Sequence, residues 1–399
     1  MFTALTKNGK LFRIFEQNNP KVLKEIRAKE EFFCPECREK VILKIGNKRL
    51  SHFSHANRKA CISNAERESE YHINGKLHLF HWLQKQGLNP ELEPFYPSIR
   101  QRPDIAFIYK NRLYAIEYQC SVISEELFIK RTLHYRKKKI IPVWIIGGRR
   151  VKRKSQNKVQ FSAFDYLFLT KNANNQWVFP SYCPQSRTWI LLDHISPISS
   201  LHALSNFTIQ KLDEISFREL FIPASYTFSM LDWKIAIRNY KHTLVLRHSK
   251  ADKAFLQELY QNSLNPFLLP PFIGIPIPQA HLFETAPVLW QSYIVMDHFL
   301  PLQKMKSVKF IQINQLFQQR IKKNQIKVRT LPLVKEVNFS IVIKEYLRKL
   351  IQLHVIEETV PSNYQVSSNF YIAKSQKEQE EWENQFYNDF AKGKINHRP

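Results

Sequence analysis

Three residues, Asp104, Glu117 and Gln119, stand in a pattern that could serve phosphodiester hydrolysis. Glu117 and Gln119 are two apart in the run LYAIEYQC, so an extended strand projects both from one face. Asp104 opens the preceding run DIAFIY, and the short turn KNR between the runs predicts neighbouring antiparallel strands carrying Asp104 and Glu117. Two carboxylates so placed can share a hard divalent cation, Mg²⁺ or Mn²⁺, through oxygen ligands. Such an ion polarises a phosphate oxygen and lowers the pKa of an attacking water. An isolated acid on a strand is ordinarily just a solvated side chain. Here, however, Glu117 and Gln119 interrupt an apolar strand made of Ala115, Ile116, Tyr118 and Cys120, where polar groups need a local purpose.

The elements that must position these residues are legible from periodicity. From Ser63 to Gln86 apolar residues at Ile73, Leu77, Phe80 and Leu83 recur at helical spacing, and Gly87 is a natural stop. Glu68, His72 and Lys76 form a ridge on this helix at successive spacings of four, either a solvated salt-bridge row or a functional edge beside the apolar stripe. Strand-like runs follow at 92–96, 104–109 and 113–120. A second helix begins at Ser124, with Glu125 and Glu126 in its first turn and RKKK at its end, both suited to the helix dipole. The buried strand IIPVWIIG closes an αβββαβ unit.

Ahead of this unit, residues 1–62 read as a zinc-ribbon-like module with short strands around Phe2–Leu5 and Leu11–Phe15. Cys34 and Cys37 have the spacing of a zinc knuckle, and His52, His55 and Cys61 complete a set of five candidates for four tetrahedral positions. The favoured set is Cys34, Cys37, His52 and either Cys61 or His55. Four protein ligands leave no place for substrate, so the Zn²⁺ expected here is structural. Cys120 and Cys183 read as buried small residues.

The motif and its setting resemble the PD-(D/E)XK nuclease superfamily, with RPDIAF as the PD element and IEYQ as the E-x-K element, Gln119 standing where lysine is usual. More narrowly, CPEC, HFSH, ESEYHINGK, RPDIAF, EYQCS and PVWIIG are together similar to the competence protein CoiA family. The resemblance implies an α/β (α+β) restriction-endonuclease-like core and a deoxyribonuclease or nuclease-fold factor promoting recombination of incoming DNA during transformation. It also implies that a first-helix acid completes the site, for which Glu68 is the candidate and Glu70 the rival. Glutamine at 119 orients only by hydrogen bonding and carries no charge, so His72 or Lys76 becomes the candidate source of the missing positive charge. A non-cleaving protein that binds DNA or recruits a recombinase is the alternative reading.

Composition fits a nucleic-acid partner. The formal net charge is +26 over 399 residues, and a large positive excess attracts polyanions at long range. Twelve lysines and arginines and no acid lie between Leu127 and Phe164, and twelve against two acids between Gln303 and Lys349. DNA, single-stranded or as recombination intermediates, is the expected partner, together with a recombinase or other competence proteins. The start of the chain lacks the apolar core of a signal peptide, and no run approaches the roughly 20 apolar residues of a membrane span, so a cytoplasmic location is expected. The expected domains are 1–62, the nuclease-like 63–180, and a mainly helical 181–399 with a winged-helix-like end.

Overall fold

A computed structural model describes residues 1–399 except 18, 47–49, 57–68, 223–228, 248, 303–306, 335–337 and 392–399. The chain forms two compact units: Met1–Val151 with Phe179–Leu191 and Thr208–Ile222, and Lys152–Val178 with Leu192–Phe207 and Pro223–Pro399.

The first unit opens with β1 (Thr3–Thr6), β2 (Leu11–Arg13), α1 (Pro20–Lys29), β3 (Phe32–Phe33), β4 (Lys40–Lys44) and β5 (His52–His55). These strands make one sheet in the order β2-β1-β3-β4-β5. Met1, Ala4, Leu23, Phe32, Val41, Leu43 and Phe53 bury a small core beneath it. The αβββαβ order follows as α2 (Glu70–Lys85), β6 (Glu91–Leu92), β7 (Ile105–Tyr109), β8 (Arg112–Gln119), α3 (Glu125–Lys137) and β9 (Ile141–Gly147).

Local chemistry accounts for these boundaries. Ser69 caps α2 by accepting from the His72 N–H, and Gly87 takes a positive φ of 72° just past its end. Lys110 and Asn111 both have positive φ and join Tyr109 to Arg112 as a two-residue hairpin turn matched to strand twist. Ser124 caps α3 as the sequence predicts. The strand expected over 92–96 stops at Leu92, because Glu93 adopts a left-handed conformation with φ 51°.

Strands β7 and β8 are antiparallel with Ile105 opposite Ile116, and β8 and β9 are parallel with Glu117 opposite Trp144. Successive residues of β8 point to opposite faces, so Tyr118 meets α2 while Glu117 meets α3. A Cβ on Gly75 would lie 2.1 Å from Tyr118 Cε1, so glycine alone lets α2 rest on β8. The Tyr118 ring cannot retreat easily, since it is 1% exposed and its hydroxyl donates to the Tyr182 carbonyl at 3.0 Å. On the other face Phe128 stacks on Trp144 at 4.0 Å, and the Trp144 indole donates to Thr132.

In the rest of the chain β10 (Lys152–Arg153) and β11 (Lys158–Gln160) form a hairpin within the basic stretch, followed by α4 (Ala163–Tyr166) and β12 (Thr170–Lys171). Three longer strands, β13 (Trp177–Cys183), β14 (Thr188–Pro197) and β15 (His202–Lys211), give residues to both units, so strand structure extends beyond residue 180. The remainder of the second unit is mainly helical: α5 (Met230–Leu246), α6 (Lys250–Gln261), α7 (Pro287–Ile294), then β16 (Ser307–Lys309), α8 (Phe310–Lys322), α9 (Phe339–Gln352), β17 (Ile356–Val360), β18 (Asn363–Val366) and α10 (Gln376–Ala391). The three strands near its end pair in the order β16-β18-β17. A buried core including Trp233, Phe272, Trp290, Phe317 and Tyr346 joins its helices. Among the described residues no helix is long and apolar enough to cross a membrane.

Gly75→Ala is expected to lower the unfolding free energy by ~1–3 kcal/mol, the usual range for overpacking a filled interior. Denaturant titration checks this, and an unchanged midpoint would show that α2 does not depend on contact with Tyr118.

Candidate active site and candidate metal centre

Ile105 pairs with Ile116, so continuing the register one step past the ladder sets Asp104 opposite Glu117. The ladder ends there because Pro103 has no N–H to donate. Asp104 Oδ2 instead accepts the Tyr118 N–H at 2.9 Å, which pins the carboxylate at the end of the strand. Helix α2 brings two more groups to it: His72 Nε2 lies 3.4 Å from Oδ2, and Lys76 Nζ lies 3.4 Å from Oδ1.

Lys76 is fully buried, and its strongest partner, Glu93, is absent from the candidates that the sequence supplies. Glu93 Oε1 accepts from Lys76 Nζ at 2.5 Å. Glu93 Oε2 accepts from the N–H groups of Phe2 and Thr3 and from the Thr3 hydroxyl, at 2.7, 3.3 and 3.2 Å. A signal for Glu93 was present: an acid amid LEPFY interrupts an otherwise strand-like run just as Glu117 does.

On the side toward α3, Glu117 Oε1 accepts from Arg131 Nη2 at 2.5 Å and from the Tyr135 hydroxyl. Arg131 and Tyr135 are one turn apart on α3, a spacing that could have identified them as a pair aimed at the sheet. Burial pushes the Glu117 carboxyl up to about 7, with Arg131 opposing and the charge of Asp104 adding to the rise. Gln119 donates from its amide to the Ser121 carbonyl at 3.0 Å, tying down the loop after β8. Lys76, not residue 119, is therefore the cation beside Asp104. Glu70 is exposed in the first turn of α2, and Glu68 lies outside the described residues. Cys120 and Cys183, expected to be buried, are each only half-buried.

Asp104 lies close enough to Glu117 for its charge to raise the Glu117 carboxyl, and both hydrogen bonds to Glu117 fall on Oε1. Carboxylate oxygens are donors that suit a hard divalent cation.

A second cluster lies in the first sheet. Ligand atoms of Cys34, Cys37 and His55 all fall within 4.8 Å of one another, a group that could hold a metal ion. Cys34 and Cys37 sit on a tight turn closed by Arg38 N–H donating to the Cys34 carbonyl at 3.0 Å, with Arg38 at φ 65°. Cys37 Sγ and His55 Nε2 are 3.4 Å apart. His52 is three residues from His55 on β5 and so projects from the other face, with its Nδ1 3.0 Å from the Leu50 carbonyl oxygen. Alternation along one strand would have separated these histidines from sequence alone. Cys61 lies outside the described residues.

Three family models match the chain: the N-terminal domain of competence protein CoiA over residues 15–64, its nuclease-like domain over 68–225, and its C-terminal domain over 228–380. Competence protein CoiA of Bacillus subtilis (strain 168) is 29% identical over 338 residues, covering 84% of this chain and 90% of that protein. No solved structure matches. The pattern is that of a protein with a nuclease-like domain set between two others. The chain belongs to the CoiA family of competence proteins.

The raised Glu117 carboxyl has a consequence for metal-free protein. A group with its folded pKa above its unfolded value of 4.5 binds more protons when folded, so it makes stability fall as pH rises from about 4.5 to about 7. The stability of the wild type relative to Glu117→Gln, measured by denaturation in chelator, is expected to decline across that window and level off above it. A flat difference would show that Glu117 ionises as an ordinary carboxylate.

Proposed function

We propose that this protein is a metal-dependent deoxyribonuclease of the PD-(D/E)XK type, acting on incoming DNA in recombination during transformation. The observation that carries the reading is the buried ammonium of Lys76 3.4 Å from Asp104 Oδ1, a fixed cation beside the first carboxylate of a motif whose last residue, Gln119, carries no charge. Asp104 and Glu117 would hold Mg²⁺ or Mn²⁺, which when bound polarises the scissile phosphate and acidifies an attacking water. Lys76, buried and already held by Glu93, would fix the Asp104 carboxylate in place rather than touch the phosphate. His72 lies beside Asp104 as a group able to hold or pass a proton. Glu68, which precedes Ser69, the cap of α2, remains the proposed additional acid on the resemblance alone.

The basic end of α3 supports a DNA-facing surface: Arg136, Lys137, Lys138 and Lys139 are all exposed. Single strands or recombination intermediates are the proposed substrates, with a recombinase or other competence proteins as partners. The Cys34, Cys37 and His55 cluster would take structural Zn²⁺, with Cys61 the proposed fourth ligand. At the chain's end, the strand order β16-β18-β17 around α8 and α9 favours a winged-helix-like module, with Lys344 and Arg348 exposed on α9.

A specific observation favours a second reading, in which the fold holds DNA without cutting it: Glu117 is already bonded to Arg131 and Tyr135, and burial pushes its carboxyl up to about 7. Labelled single-stranded and duplex DNA incubated with and without Mn²⁺ separates the two. Cleavage that requires Mn²⁺ and falls by ~100-fold or more in Asp104→Asn is expected, the scale of losing a charge at a reacting centre. Undiminished cleavage by Asp104→Asn would refute the assignment, and binding with no cleavage by the wild type would establish the second reading.

A further inference from the structure

The network behind Lys76 does not end within the nuclease-like core. Glu93 is 3% exposed and reaches across to the first residues of the chain, where it takes the N–H groups of Phe2 and Thr3 and the Thr3 hydroxyl. The Lys76 ammonium also lies 5.5 Å from the centre of the Phe2 ring. The residues on either side of Phe2 and Thr3 are in turn held by β3 and β5, the strands next to the cysteine and histidine cluster. Leu5 and Thr6 pair with Phe33 and Phe32 of β3, directly ahead of Cys34. Met1 exchanges backbone hydrogen bonds with Phe53 of β5, two residues before His55, at 2.8 and 3.3 Å. A path of backbone and hydrogen bonds therefore runs from the cluster through residues 1–6 to Glu93, Lys76 and Asp104.

We propose that the N-terminal module is a positioning element for the catalytic edge: metal held by Cys34, Cys37 and His55 fixes the first strand, whose Phe2 and Thr3 amides fix Glu93, which fixes Lys76 against Asp104. Glu93 is a positioning residue, because it touches Lys76 and not the reacting atoms. Its left-handed backbone fits this role. A non-glycine residue at φ 51° persists only where its surroundings over-determine it, and here four hydrogen bonds to its side chain do so. A docking contact alone would not need a fully buried lysine at its centre. Apolar packing such as that of Phe15 on Phe80, with ring centres 5.7 Å apart, joins the same two regions without one.

The inference rests on reading Asp104 as part of a catalytic edge, and its test is chosen to fail separately. The full chain, loaded with zinc and then stripped by chelator with the loss checked by elemental analysis, is exposed to an amine-labelling reagent and to deuterated water in the absence of DNA. Loss of zinc is expected to speed amide exchange at Phe2 and Thr3 and to raise labelling of Lys76 by roughly tenfold or more, as local opening would, while amides in the middle of α2 keep their protection. Cys37→Ser, which removes one of the three ligands, is expected to give the same pattern. In a second arm, Glu93→Gln is expected to lower kcat for DNA cleavage with KM nearly unchanged, and Glu93→Asp to restore part of it. Zinc loss that leaves Lys76 labelling and Phe2 and Thr3 exchange unchanged overturns the proposal, and so does a chain that binds no zinc. A wild type that fails to cleave DNA would refute the nuclease reading but leave the labelling result standing.

Discussion

A fully buried ammonium fixes much of what surrounds it. Lys76 has no access to water, and an isolated charge in that environment would be prohibitively unfavourable, so carboxylates must meet it. Glu93 and Asp104 do, and each comes from a different element. Asp104 can do so because Pro103 ends the β7 ladder and leaves the Tyr118 N–H for its carboxylate. Glu93 can do so because the chain turns sharply after Leu92 and because residues 2 and 3 supply donors to its other oxygen. The close seating of α2 that brings Lys76 there requires glycine at 75. One charge therefore ties together a helix, a strand end, a turn and the beginning of the chain.

The side of the sheet toward α3 poses a different electrostatic problem. Glu117 is 2% exposed and is met by Arg131 and Tyr135, so its partners favour the carboxylate while burial favours the acid. Burial outweighs the partners and pushes the carboxyl up to about 7, so a neighbouring charge shifts its ionisation near neutral pH. Asp104 pushes it toward the neutral form, and an added cation would push it back. Carboxyls perturbed by burial and a specific charge partner cluster at sites of chemistry.

Much of this arrangement was legible in the sequence. Alternation in LYAIEYQC put Glu117 and Gln119 on one face, and the brief KNR turn made neighbours of Asp104 and Glu117. Spacing of four placed His72 and Lys76 on one ridge, and both reach Asp104. Glu93 was missed although the acid in LEPFY marked it, because its contacts, to Lys76 17 residues back and to Thr3 and Phe2 90 and 91 residues back, follow no local period. The strands β14 and β15 were missed because their alternation is irregular, with buried residues on both faces of LLD and ALSN. His52 was grouped with His55 by proximity along the chain, although strand alternation sets them apart.

Whether Asp104 and Glu117 form one metal-holding pair, with Lys76 beside it, decides the rest. The most direct measurement is a crystal of the full chain soaked in Mn²⁺, with anomalous diffraction collected to locate the ion. A peak bridged by oxygens of Asp104 and Glu117, and absent from Asp104→Asn crystals, is the expected result. Manganese elsewhere, with Glu117 still bonded to Arg131 and Tyr135, would contradict it.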